Sequence, residues 1–225
     1  MAICAIRKFS VSPSEGLQAE LVPGWCTALL RGLLFADMLG ERVVLSRDEV
    51  SAGIAAARRG DEAAWHRLFG DFHYLVWRYC FAHLGDHSSA DDLAQEVFVA
   101  AVKAIGRLRD ESRPGIEGWL LGIARNKVAD RFRQSARERK LQVIRPELEA
   151  DPAEIAVRRL TVERLRACLN TLPQPQRDIV IRRFVLDQSL EHVARVTGRR
   201  IGAVKALQHR AVAALNRRWR QSGDA

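Results

Sequence analysis

From Ser46 onward the apolar positions recur every three or four residues, the period of helices that turn one face to a core. Ser46 with Glu49 three residues later is a capping-box pattern and starts a first helix, which Gly60-Asp61 punctuates. A second helix follows Asp61, directs Ala64, Leu68, Tyr74 or Leu75, and Phe81 or Leu84 inward, and ends at Gly85. Ser88 or Ser89 caps a third, with Asp91 and Asp92 in its first turn, where the helix dipole favours negative charge. Its inward positions are Leu93, Val97, Ala100, Ala101 and Ala104, with Leu108 just beyond Gly106. Arg113-Pro114-Gly115 predicts a turn-rich loop that breaks the helical run. The next helix starts at about Ile116 or Glu117 and buries Trp119, Leu120, Ile123, Val128 and Phe132.

Pro146 and Pro152 then interrupt the pattern and predict a linker. Beyond it lie a helix to Leu172, a proline break, a helix through Phe184, and a short helix from Ser189. Val196-Thr197-Gly198 makes a turn, and a last helix begins near Ile201 with Ile201, Val204, Ala211 and Leu215 inward. A short helix, a turn holding glycine and a second helix form a helix-turn-helix, whose second helix enters the major groove of DNA.

The pattern therefore predicts an all-α chain with two small helical domains, at 46–141 and 161–220, joined by a flexible linker at 142–160. Residues 1–45 form a separate N-terminal extension without that periodicity. Its apolar run, GWCTALLRGLLFADML, is interrupted by Arg31 and Asp37 and is too short and too charged to span a bilayer, so no membrane insertion is expected. The stretch also fits a signal peptide poorly; it is either a regulatory extension or a leader ahead of a later start at Met38.

Charge adds a partner. Lys and Arg number 36 against 27 Asp and Glu, a formal net charge of +9 that points to a polyanion, although a generally arginine-rich composition would give the same total. Distribution is more telling. Arg125, Lys127, Arg131, Arg133, Arg137, Arg139 and Lys140 outweigh Asp130 and Glu138 on one helix, and the stretch from Arg195 to Arg220 has eight basic residues and no acid. Arg199, Arg200, Lys205, Gln208, His209 and Arg210 lie outward or at the margin of the last helix, where Arg forks onto guanine or phosphate and Gln reads adenine.

Against this background, Asp91, Asp92, Gln95 and Glu96 stand out as an acidic face. It is a helix start with a solvated surface, a carboxylate pair for metal or acid–base chemistry, or a docking face for a basic partner. Cys4, Cys26, Cys80 and Cys168 form no C-x-x-C pair and read as free thiols of a reducing cytosol. His73, Cys80, His83 and His87 would align on one continuous helix, but Gly85-Asp86 interrupts it, so neither metal site nor cofactor is expected.

Three segments together resemble the extracytoplasmic-function (ECF) sigma factors, the two-domain minimal sigma subunits of bacterial RNA polymerase. SADDLAQEVFVAAVKAI is similar to the family's region 2.2, GWLLGIARNKVADRFRQ to its regions 2.3 and 2.4, and LPQPQRDIVIRRFVLDQSLEHVARVTGRRIGAVKALQHRA to its region 4. The resemblance runs over about residues 48–219. It implies a non-catalytic initiation subunit, cytoplasmic and nucleoid-associated, that binds core RNA polymerase and promoter DNA under control of an anti-sigma factor. Asp91, Asp92, Gln95 and Glu96 would then dock on the polymerase. Arg109, Asp110 and Ser112 would hold a flipped base of the −10 element, and Asn126, Lys127, Asp130, Arg131 and Arg133 would lie along its DNA. Arg199, Arg200, Lys205, Gln208, His209 and Arg210 would read the −35 element, although Ala206-Leu207-Gln208 stands where the family commonly has Ser-Arg-Leu. The competing readings are a helix-turn-helix regulator that does not replace sigma, which leaves the Trp119–Lys140 segment idle, and a metal-dependent hydrolase using His73, His83 and the Asp91/Asp92 pair.

Overall fold

The computed structural model describes residues 44–138 and 163–221, except the side chains of 135–138; the linker and nearly all of the N-terminal extension lie outside them. Among the described residues all regular structure is helical. The first half comprises α1 (Arg47–Arg58), α2 (Glu62–Leu84), α3 (His87–Ala104), a 3-10 turn (Ile105–Arg107) and α4 (Arg113–Glu138). The second half holds a helix at 163–170 (α5), α6 (Gln174–Val180), a π turn (Ile181–Val185), α7 (Leu190–Thr197) and α8 (Ile201–Gln221).

Short polar caps set the helix starts. The Ser46 hydroxyl accepts the Glu49 amide at 3.3 Å while the Glu49 carboxylate accepts the Ser46 amide at 2.7 Å, as the sequence predicts. Gly85 closes α2 at a left-handed φ of 80°, also as predicted. The start of α3 differs: its cap is Asp86, whose carboxylate accepts the Ser89 amide at 2.7 Å. Asp91 and Asp92 thus lie beyond the first turn, where the helix dipole does little for them. Arg113-Pro114-Gly115 does not break the chain either. It is the first turn of α4, capped by the Ser112 hydroxyl, where the missing proline N–H would have had no intrahelical partner.

The two halves share one continuous apolar core with α2 at its centre. Sequence periodicity assigns α2 one buried stripe, yet its second half buries Val76, Trp77, Tyr79, Cys80, Phe81, Ala82 and His83, nearly the whole circumference. The additional burial comes from the second half of the chain. The Tyr79 hydroxyl donates to the Asp178 carboxylate at 2.6 Å, and the Arg78 guanidinium donates to the Val185 carbonyl. Arg182 donates to both Asp178 oxygens at 3.1 Å and lies over the Tyr79 ring. On α4, Phe132 lies under the Arg177 guanidinium, and Gly118 meets Val196 of α7.

Arginines also shape the second half. Arg183 donates to the Gln188 carbonyl and, at 3.3 Å, to the Gln208 side chain, so the turn after α6 is tied to both α7 and α8. Gly198 ends α7 at φ 66° and α8 follows, in the predicted helix-turn-helix order. Val204, Ala211 and Leu215 are buried, whereas Ile201, the first residue of α8, is 41 % exposed rather than inward.

His83 sits inside the contact between the halves with both ring nitrogens lacking a hydrogen bond, and burial pushes its pKa down to about 3. Asp178 partly opposes that shift, while Arg177 and Arg182 add to it. The unfolded chain binds this proton near pH 6.5, so His83 adds stability above that value and loses it as pH falls toward 3. The slope reaches about 1.4 kcal/mol per pH unit. His83→Leu should therefore flatten the loss of stability between pH 7 and pH 5, measured by urea unfolding; an unchanged slope would assign the loss to other groups.

Candidate functional site

The loop between the 3-10 turn and α4 is held from behind. Arg58 donates to the Leu108 carbonyl and the Glu111 carboxylate. Arg113 forks onto Asp71 at 2.6 and 2.7 Å, reaches the Leu45 carbonyl at 3.0 Å and pairs with Glu117 at 3.3 Å. The Asp71 side chain is only 2 % exposed, so this bidentate pair is a sheltered anchor. Asp110 accepts the Ser112 amide at 3.0 Å, and hydrogen bonding from Ser112 lowers its pKa. A side chain at Gly115 would collide with Asp110, which leaves glycine as the residue that fits. The result is a braced loop that exposes Arg109 and Asp110, while the Ser112 hydroxyl is occupied as a helix cap.

The outer face of α3 carries Asp91, Asp92, Gln95 and Glu96, all exposed, and continues into Val99 and Val102, exposed by 56 % and 50 %. These valines were missed in the sequence. Their signal is their place off the Leu93–Val97–Ala101 stripe: Val99 lies four and Val102 seven residues beyond Gln95, on the same side of the helix. Glu96 has an internal partner, Lys127 of α4, at 2.9 Å. Asp91 lies near His73, whose pKa burial lowers and Asp91 partly restores; His73 also contacts Phe69 and Phe98. His83 is turned toward the second half instead, and Cys80 is buried with its thiol pKa pushed up to about 12 by desolvation. His73, Cys80, His83 and His87 do not converge: among the described residues no three His, Cys, Asp or Glu side chains are placed to hold a metal.

The basic positions fall into two groups. Lys205, His209, Arg210 and Arg200 are exposed on or just before α8, with Gln208 half-buried against Arg183. Arg199 instead faces the first half. It lines a cleft of about 300 Å³ with Arg125, Asn126 and Arg133 of α4 and Gln174, Pro175 and Asp178 of α6. Residues predicted for two separate DNA elements thus border one space. Asp130 and Arg133 pair with each other on the α4 surface, and Arg131 is half-buried beside them.

The Sigma-70 region 2 family model matches residues 68–138, which include the braced loop, the acidic face and α4. The Sigma-70, region 4 model matches residues 162–215, which include the helix-turn-helix. The ECF RNA polymerase sigma factor SigD of Mycobacterium tuberculosis is 36 % identical over 190 residues, covering 81 % of this chain and 89 % of the relative. BldN of Streptomyces coelicolor, also an ECF sigma factor, is 33 % identical, over 73 % of this chain and 63 % of its own length. Among solved structures, CnrH in complex with the cytosolic domain of CnrY aligns with a TM-score of 0.57 at 25 % identity, covering 79 % of this chain and all of that one. RpoE of Bartonella quintana, solved with the anti-sigma factor NepR, shares the fold at a TM-score of 0.50 and 23 % identity over 66 % of this chain and 91 % of that one. With both region models in order along the chain and a relative of this identity and coverage, the protein belongs to the extracytoplasmic-function sigma factors, which direct RNA polymerase to promoters.

Proposed function

We propose that the outer face of α3 is the polymerase-docking surface. Asp91, Asp92, Gln95 and Glu96 set charge and orientation there, and Val99 and Val102 supply apolar contact. The supporting observation is that this face combines acids with two large exposed apolar side chains in a chain of net charge +9, and that the other described residues leave it uncovered. A carboxylate face alone would be explained by solvation; exposed valines in line with it favour a partner.

Region 2 spans 46–141 and region 4 spans 161–220 in this reading, joined by a linker at 142–160. Arg109, Asp110 and Ser112 serve the −10 element through the braced loop, which suits capture of an unstacked base because a rigid pocket recovers the unstacking energy. Asn126, Lys127, Asp130, Arg131 and Arg133 track its DNA. Arg199, Arg200, Lys205, Gln208, His209 and Arg210 serve the −35 element in the major groove. The chain performs no covalent chemistry and acts in the cytoplasm at the nucleoid. No helix among the described residues is long and apolar enough to cross a membrane. Control by an anti-sigma factor follows the kind of assembly named for RpoE and NepR.

Run-off transcription with core polymerase on genomic promoter fragments should give discrete products only when the chain is added. Asp92→Lys, Glu96→Lys and Val99→Asp should each weaken core-polymerase binding by about tenfold, a loss near 1.4 kcal/mol, while DNA binding by the 161–220 segment persists. Unchanged polymerase affinity in all three would remove α3 as the docking face. Lys205→Ala and Arg200→Ala should reduce promoter affinity and lower the slope of log K against log salt by about one each. A slope equal to the parent's would mean that neither side chain meets phosphate.

A further inference from the structure

Three guanidiniums converge on the cleft between α4 and the second half of the chain. Arg125 and Arg133 lie one turn to either side of Ala129 on α4, whose small side chain leaves the floor between them open, and Arg199 reaches the same space from just before α8. Asn126 of α4 and Gln174 of α6 add two amides to the lining. Asp178 is the one acid in the wall, and it is already engaged: it accepts from Arg182 at 3.1 Å and from the Tyr79 hydroxyl at 2.6 Å in a buried polar lock. Burial and Asp178 raise the Tyr79 pKa while Arg182 and Arg125 oppose them, so the Arg125 charge is close enough to be felt at the lock.

Little within the chain neutralises the cleft cations. Arg133 pairs with Asp130 on the α4 surface, where the two side chains are 65 % and 63 % exposed, and such a pair holds its partners weakly. Among the described residues the side chains of Arg125 and Arg199 make no hydrogen bond or ion pair. A solvated helix face spreads like charges apart, whereas here the packing of the halves brings Arg199 to the two arginines of α4. The occupant that relieves this is an anion rich in acceptor oxygens: a guanidinium forks onto a phosphoryl group through two N–H donors, and the amides of Asn126 and Gln174 have N–H groups to add. The cleft volume of about 300 Å³ equals that of about ten waters, more than one phosphoryl group fills and enough for two that are joined. It is too small for a duplex, whose major groove alone is about 12 Å wide.

We propose that this cleft is a binding site for a diphosphate group, inorganic or carried by a nucleotide. Arg125 and Arg199 hold it from the two halves, Arg133 joins them, and Asn126 and Gln174 donate to the remaining oxygens. The ligand binds and leaves unchanged. Both sources are at hand for a subunit of RNA polymerase, which consumes nucleoside triphosphates and releases diphosphate with each nucleotide added. Because the donors come from both halves, occupancy stabilises the contact between them by mass action. The site does not rest on the docking or promoter roles, and Arg125, which has neither, separates it from them.

Titration calorimetry of the full-length chain, at constant ionic strength and without divalent cations, compares sodium diphosphate, ADP and orthophosphate. Diphosphate should bind once per chain and about tenfold more tightly than orthophosphate, since its second phosphoryl group adds charge-assisted contacts. ADP binding as tightly as diphosphate would make a nucleotide the carrier, and much weaker ADP binding would make it the free ion. Arg125→Gln and Arg199→Gln should each weaken diphosphate binding by about tenfold. Both positions are exposed, so the fold should persist, which the urea midpoint without ligand checks; saturating diphosphate should raise that midpoint more in the parent than in either variant. Arg59→Gln with Arg67→Gln removes two exposed charges outside the cleft and should leave diphosphate binding unchanged. Equal affinity for orthophosphate and diphosphate, no loss in Arg125→Gln and Arg199→Gln, or the same loss in the Arg59 and Arg67 control would overturn the site and leave only diffuse attraction to a basic chain.

Discussion

One carboxylate joins the two halves of this protein. Asp178 accepts from Arg182 on its own segment and from the Tyr79 hydroxyl on α2, in a setting where every participant is buried. Such a group is costly unless its lone pairs are filled, because both the carboxylate and the guanidinium have left water. Arg182 alone leaves acceptor capacity over, and Tyr79 uses it. The hydroxyl has few alternatives at that depth, so the bond fixes the rotation of α2 against α6 more firmly than its net energy of about 1 kcal/mol suggests. Once that rotation is fixed, Arg78 reaches Val185, Phe132 lies under Arg177, and Val196 arrives over Gly118.

This packing divides the surface by function. The sides of α2 and α4 that face the second half carry the lock and the arginine cleft, whereas α3 keeps its acids and valines in solvent. Lys127 links the two regions, since it projects from α4 yet pairs with Glu96 of α3. As an exposed pair it contributes little stability. Its significance is positional: a partner that takes Glu96 releases a cation on the helix assigned to the −10 element.

Much of this was legible in the sequence. The helix-turn-helix, the Ser46 capping box and the Gly85 stop follow from local rules that the structure obeys. The α3 cap was misplaced because Asp86, Ser88 and Ser89 are all good caps within four residues, and only the chain's exit from Gly85 selects the first. Arg113-Pro114-Gly115 read as a break because those residues favour turns, but proline at a helix start is equally well formed. The buried circumference of α2 was beyond reach for another reason. Periodicity reports one apolar stripe against one core, and α2 meets a second surface through Tyr79 and His83, polar residues that no hydrophobic pattern marks. The arginines that brace the loop before α4 were hidden likewise, since Arg58 and Arg113 act across more than forty residues of chain.

The contact between the halves also carries local costs. Arg125, Arg133 and Arg199 border one cleft, so like charges face each other, and Gly118 weakens the helix that supplies two of those arginines. Locally inconsistent choices of this kind cluster at functional sites. Salt makes the point concrete. The repulsion within the cleft is screened over about 8 Å at physiological ionic strength, so added salt favours the contact between the halves. The same salt weakens phosphate contacts by restoring counterions to DNA. Against that repulsion stands the lock at Asp178, which holds α6 to α2 and so keeps the three guanidiniums beside one cleft.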